Sequence, residues 1–253
     1  INSTKILEMT DAGVSTRTVQ RHLKRIGLVY KKAGSKIYLT KAHKERRIVC
    51  AAKWLQEGHV WEKTIFSDEK RFALDGPDNW QTYVKSSEKF YRNRRQCGGG
   101  SIMLWLLVLP NGLLSYRVID KNLNADKYIS ILQTTAVPIM KLNYGDDFIY
   151  QEDNAIVHKA SKVQTFLNSA NVKVLNWPAK SPDLNITEDV WKILSDKVYD
   201  GPQFKNKANL LEAVSNAIND INKNKRDIIK NLFSTIRSRL CKVLLCKGDL
   251  INK

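Results

Sequence analysis

Two rhythms of apolar and polar positions run along this chain, and the change between them near Trp61 divides it. Before that point the period is helical. Ser3 to Met9 predicts a short helix, and Thr10-Asp11-Ala12-Gly13 predicts a turn. Ser15 is an N-cap residue for a second helix reaching about Ile26, where Gly27 supplies the stop. On that helix Val19, Leu23 and Ile26 fall at core spacing, which leaves Thr16, Arg17, Gln20, Arg21 and Lys24 on the outer face. Residues 28–39 carry no period and read as a linker. Thr40 then caps a helix ending at Gly58, with Ile48, Ala51, Ala52 and Leu55 inward and Lys41, Lys44, Arg46, Arg47 and Lys53 outward.

After Trp61 the pattern shortens to that of strands: 64–74, 80–84, 101–109 and 113–119, the last two joined by Pro110-Asn111-Gly112. A helix is predicted from Asn124 to about Leu142, a buried strand over 148–153, a helix over 158–170, a strand over 172–177, and helices from about Ile186. A meander followed by alternating helices and strands predicts an α/β domain, a mixed sheet flanked by helices. That is the order of a ribonuclease-H-like sheet, although order alone does not identify one. The domains expected are a helix-turn-helix module over 1–27, a basic linker and helix over 28–60, and the α/β domain over 61–253. The longest apolar run, Ile102 to Pro110, is far shorter than the roughly 20 residues of a membrane span, and Ile1 opens no signal peptide. No membrane partner is expected.

Charge changes the picture. The 42 Lys and Arg exceed the 25 Asp and Glu by 17, a surplus that favours a polyanionic partner, nucleic acid before a membrane surface. Residues 1–64 hold 14 basic and 5 acidic side chains, and residues 65–253 hold 28 and 20, so the first quarter is the more densely positive. Two short helices around a glycine-bearing turn form a helix-turn-helix, and the outer face of the second has the residues of a recognition helix; an ordinary solvated helical hairpin is the alternative. Lys31, Lys32 and Lys36 of the linker and Lys41 beyond it can track phosphates. Residues 85–95, KSSEKFYRNRR, interleave Phe90 and Tyr91 with Arg92, Arg94 and Arg95, suiting a DNA backbone or equally a solvated loop. Cys50, Cys97, Cys241 and Cys246 form no CxxC pair, so neither structural zinc nor a disulfide framework is indicated.

Three acidic residues sit where strands and helices end. Asp68 lies in the first strand, Asp153 closes FIYQED, and Glu188 falls in the opening turn of the helix after Ser181-Pro182-Asp183-Leu184-Asn185. Converging carboxylates repel one another unless a cation offsets them, and their oxygens suit Mg²⁺ or Mn²⁺. Singly, each has a plainer explanation: a solvated strand residue, a turn cap, an acid favoured at a helix N-terminus. His158, one turn past Asp153, can contact a phosphate or a metal-bound water, or serve as a neutral capping or core histidine. Trp105, Trp177 and Trp191 stand among apolar neighbours, as packing anchors do.

The words around the three acids carry a resemblance. Ile65-Phe66-Ser67-Asp68-Glu69-Lys70-Arg71-Phe72, then Gln151-Glu152-Asp153-Asn154-Ala155 with His158-Lys159, then the SPDLN stretch with Glu188 and Trp191 resemble the core of mariner-type (Tc/mariner) DDE transposases. The 34 residues between Asp153 and Glu188 match the branch whose third carboxylate is glutamate, and DGPDNW (75–80) resembles its worm-type members. The resemblance implies a ribonuclease-H-like fold, with Asp68, Asp153 and Glu188 as the catalytic triad holding Mg²⁺ or Mn²⁺. It further implies binding to double-stranded DNA at transposon terminal inverted repeats, TA target sites, a homodimer on DNA, cut-and-paste chemistry and a nuclear location.

Departures from the family pattern bear on activity. Ile156 and Ile186 stand where the family has proline, Asp189 where Asn is common and Leu106 where Gly is frequent. Losing proline at a helix start removes preorganisation of the helix presenting Glu188. Asp189 adds negative charge, although its direction on the helix predicts a place outside the metal shell. One of the family's two helix-turn-helix units is missing, so a fragment or truncated copy is expected, while CKGDLINK resembles the family's usual end. The competing reading is a decayed or host-adopted DNA-binding protein without catalysis.

Overall fold

The computed structural model describes residues 3–10, 13–28, 37–58, 61–76, 95, 99–120 and 122–251. The predicted strand at 80–84 and five candidate DNA contacts, Lys31, Lys32, Lys36, Arg92 and Arg94, lie outside the described residues. Contacts divide the chain into two units, Ile1–Tyr38 and Leu39–Lys253.

In the smaller unit α1 (Ser3–Thr10) packs with α2 (Thr16–Arg25). Ser15 caps α2 by accepting the Thr18 N–H, and Gly27 turns the chain at φ +81°. Val19 and Leu23 are half-buried as the period predicts, but Ile26 is exposed. Thr16, Arg17, Gln20, Arg21 and Lys24 all lie exposed.

The larger unit is built on a five-stranded sheet of order β3-β2-β1-β4-β5. Its strands are β1 (Thr64–Ala73), β2 (Ser101–Val108), β3 (Leu114–Ile119), β4 (Ile149–Gln151) and β5 (Lys173–Val174). β1, β2 and β3 form an antiparallel meander, three of the four strands predicted for it, and β4 adds to β1, and β5 to β4, in parallel. Alternation along the strands fills a core on each face. Phe66, Phe72, Leu104 and Leu106 point to one, Ile65, Trp105 and Leu107 to the other. The parallel strands are shorter than the sequence predicts, because pairing stops at Phe66 with Gln151 and at Tyr150 with Val174.

One core lies under α3 (Lys41–Gln56), α7 (Thr187–Val198), α8 (Lys207–Asn224), α9 (Arg226–Ser234) and α10 (Ile236–Leu245). The other lies under α4 (Ala125–Ile131), α5 (Val137–Tyr144) and α6 (Ser161–Ser169). α4 and α5 are the single predicted helix, joined by a π turn over Leu132–Ala136. Pro138, early in α5, has no N–H for the i−4 carbonyl, which accounts for the widened turn.

Helix α3 departs from its predicted orientation. Arg47, Cys50, Ala51 and Trp54 face inward, whereas Ala52 is exposed. Arg47, predicted on the solvent face, is 0% exposed and makes a two-pronged pair with Asp183, Nη1 to Oδ1 at 2.8 Å and Nη2 to Oδ2 at 2.6 Å. Its Nε donates to the Gly248 carbonyl at 2.9 Å. Gly248 has φ +79°, and a Cβ there would clash with the Lys44 carbonyl, so this approach requires glycine. Trp54 stacks on Trp177 with centroids 5.5 Å apart. α3 therefore belongs with the sheet rather than with the linker that precedes it.

Candidate active site

β1 and β4 run parallel up to the pair Phe66 and Gln151, and Asp68 and Asp153 each stand two residues further along. The place just past the last pair of two parallel strands, at the carboxyl end of β4, is the usual one for a site in an α/β sheet. Glu188, in the first turn of α7, reaches the same place from the helical layer. All three carboxylates line one cleft of about 380 Å³, together with Asn154, Ala155, Trp177 and the 178–182 turn.

Each acid is held differently. Asp68 accepts from Thr187 Oγ1 at 3.0 Å and Trp191 Nε1 at 3.1 Å on Oδ2, and from the Glu69 N–H at 2.9 Å on Oδ1. Burial pushes its carboxyl up to about 6; those hydrogen bonds oppose the rise, and the nearby Glu69 charge adds to it. Asp153 takes both of its bonds on Oδ1, from the Ala155 N–H at 2.8 Å and from His158 Nδ1 at 2.7 Å. Burial pushes Asp153 up, but the hydrogen bonds from His158 and Ala155 with the charges of His158 and Lys159 outweigh it and hold it below the usual range. Glu188 is exposed.

His158 is buried rather than an open surface ligand. It is 2% exposed, with Nδ1 on Asp153 and Nε2 3.2 Å from Glu69 Oε1. Burial disfavours its charge, yet the hydrogen bonds to Asp153 and Glu69 and the charges of Glu69 and Glu152 raise its pKa to about 10. Behind it Tyr128 stacks on the ring at 4.3 Å and donates to Glu152 Oε2 at 2.6 Å. Burial raises the Glu152 carboxyl, with the Tyr128 bond and the His158 charge working against it.

The departures at 186 and 189 have local explanations. Ile186 precedes α7 with φ −71°, the angle a proline would impose, and is fully buried. Asp189 pairs with Arg239 at 2.7 Å, so its charge is matched by a cation. Trp105, Trp177 and Trp191 are buried anchors as expected, but Trp191 also donates to Asp68, a role that its apolar neighbours concealed. Arg95 is exposed, with its guanidinium on Asp75 at 2.7 Å and on the Phe204 carbonyl at 2.8 Å, a tie between chain segments. Lys41 is exposed, 3.8 Å from Glu45.

The three carboxylates offer oxygens, the donors that hard cations such as Mg²⁺ or Mn²⁺ prefer, in a cleft that Lys180 also lines. Asp153 Oδ2 has no protein partner among the described residues, Glu188 is exposed, and Asp68 resists ionisation where it stands; a cation answers each condition, so the residues fit one. No group of three His, Cys, Asp or Glu side chains among the described residues is drawn together closely enough to hold a metal ion as they stand.

Residues 63–211 match the family described as DDE superfamily endonuclease. The Tc3 transposase of Caenorhabditis elegans is 30% identical over 242 residues, covering 94% of this chain and 72% of that protein. The Tc1 transposase of the same organism is 32% identical over 190 residues, covering 73% of this chain and 70% of that protein. Among solved structures, a Mos1 transposase paired-end complex with left transposon end covers the whole chain and 76% of its own, with TM-score 0.77 and 18% identity. A Mos1 mariner paired end complex with Mn matches at TM-score 0.76 and 19% identity, a likeness of fold. With the strand order, the cleft and its three carboxylates, these matches place the chain among the Tc/mariner DDE transposases, enzymes of cut-and-paste DNA transposition.

Proposed function

We propose that Asp68, Asp153 and Glu188 are the catalytic residues of this transposase and hold two divalent cations, Mg²⁺ or Mn²⁺, in the cleft. The observation that supports this reading is their common place on one cleft, just past the last pair between β1 and β4. When bound, such cations activate the attacking water or 3′-hydroxyl and stabilise the leaving oxygen of the phosphodiester. The chain's own groups prepare for that. Thr187 and Trp191 fix one oxygen of Asp68, so the first turn of α7 is tied to β1 beside Glu188. The Ala155 N–H fixes Oδ1 of Asp153.

The DNA partner in this reading is a transposon's terminal inverted repeat, with α2 presenting Thr16, Arg17, Gln20, Arg21 and Lys24 to base edges and phosphates. TA-containing target DNA, a homodimer on the DNA and a nuclear location complete the proposal. The geometries of Ile186 and Asp189 favour a working site over a decayed one. The test is nicking of DNA carrying candidate inverted repeats, with and without Mg²⁺, beside thermal denaturation over a Mg²⁺ series. Nicking that requires the cation, and a melting temperature that rises with Mg²⁺ in the native chain but not in Asp153→Asn, are expected. DNA binding without cation-dependent nicking would favour the non-catalytic reading.

A further inference from the structure

His158 stands behind the cleft rather than in its wall. It is almost wholly buried, and its ring spans two strands: Nδ1 meets Asp153 Oδ1 at 2.7 Å past the end of β4, and Nε2 meets Glu69 Oε1 at 3.2 Å on β1. Tyr128 of α4 lies against its face at 4.3 Å, and Gln164 Nε2 of α6 donates to its backbone carbonyl at 2.8 Å. The ring is thus held against α4, and the backbone that carries it against α6. Past Gln151 the parallel register of β1 and β4 has ended, so no ladder bond holds Asp153 in place there. The two contacts on its carboxylate fall on the same oxygen, which leaves Oδ2 for a cation.

We propose that His158 is a positioning residue: through Nδ1 it holds Asp153 Oδ1 and so leaves Oδ2 turned to the cleft for a cation. The inference rests on the reading of Asp153 as a metal-holding residue. A ring hydrogen bond behind a metal-holding carboxylate is a general device for orienting it, and loss of such a partner typically costs roughly 10–100-fold in metal affinity or activity.

Two isosteric substitutions separate positioning from packing. The amide nitrogen of His158→Asn can occupy the place of Nδ1 and still donate to Asp153, whereas that of His158→Gln reaches toward Glu69 in the place of Nε2. The Mg²⁺ concentration at half-maximal rise in melting temperature, and the nicking rate at saturating Mg²⁺, should stay near native values in His158→Asn. In His158→Gln the midpoint should move up or the rate fall by roughly 10–100-fold. Equal behaviour of the two variants, or a Mg²⁺ midpoint unmoved in His158→Gln while its metal-free melting temperature drops, would overturn the proposal and leave His158 as packing. If neither variant folds, the ring-nitrogen resonance of Nδ1–H in the native protein decides. It should shift when Mg²⁺ is added, and a resonance that ignores the cation counts against the proposal. An Asp153→Asn chain that keeps its Mg²⁺ response would instead sink the underlying metal reading.

Discussion

Burial holds the Asp68 carboxyl at about 6 against an ordinary 3.8, so at neutral pH the folded chain keeps this group ionised against its surroundings. The shift corresponds to about 3 kcal/mol between the two protonation states. Because the folded value lies above the unfolded one, the folded state binds the proton more tightly; this favours folding at low pH and is lost as pH rises from about 4 to about 6. Asp68→Asn, which retains an acceptor for Trp191 and Thr187, should therefore be more stable than the native chain at pH 7.5 without cations, with the advantage vanishing near pH 4. Chemical denaturation across that range checks it, and a difference between the two proteins that does not change with pH would refute it. Such a conflict between stability and function marks a carboxylate that is buried for use rather than for stability. The three acids are visible in sequence because each sits inside a distinctive word. The grip on them is not, since Thr187 and Trp191 reach Asp68 across more than a hundred residues of chain.

Helix α3 shows how local periodicity can misread an orientation. Arginine counts as polar in any pattern, so the helix was expected to bury Ile48, Ala51, Ala52 and Leu55; the partner that lets Arg47 turn inward, Asp183, lies 136 residues away. Nothing near Arg47 in sequence announces it. The pair anchors the loop that leads to α7, and Arg239 reinforces that loop by donating to the Asp183 carbonyl at 3.2 Å. Arg47→Ala leaves a buried carboxylate without its cation and should cost about 3–5 kcal/mol in denaturant-measured stability. A loss below 1 kcal/mol would mean that solvent reaches Asp183 readily. Adding Asp183→Leu to Arg47→Met should recover only part of the loss, because Asp183 Oδ2 also accepts the Ile251 N–H at 2.9 Å. At the start of α7 the opposite outcome is expected. Ile186 already has a φ suited to proline, so the entropy gained by Ile186→Pro, about 0.4–1 kcal/mol, should roughly offset the buried aliphatic surface removed. Thermal melts within a few degrees of native would agree. The meander and the order of helices are readable from alternation and turn residues, whereas the short parallel strands are overextended: pairing ends at Gln151, before Glu152 and Asp153, and at Val174, although Leu175 and Trp177 continue the alternation.

Charge is divided unevenly between the two units: residues 1–38 carry 8 basic and 2 acidic side chains, while residues 39–253 carry 34 and 23. A surplus concentrated on a small helical unit favours binding that is dominated by phosphates, releases counterions and weakens steeply with salt, with log K falling by about 0.9 per decade of salt for each phosphate neutralised. Within that general attraction, base readout has its own signature. On α2, Arg17 and Arg21 lie exposed one turn apart, in the placement of side chains that enter a major groove together, whereas Lys41 opens α3 of the larger unit. Arg17→Ala and Arg21→Ala should each cost about 1–3 kcal/mol on the chain's own terminal repeat and much less on random duplex, narrowing the ratio between the two. Lys41→Ala should weaken both duplexes alike and reduce the salt slope by about 1. Titrations of both duplexes at several salt concentrations separate the cases. If all three substitutions lower affinity equally on both duplexes, the exposed face of α2 is a solvated basic surface, and sequence choice must come from elsewhere in the protein.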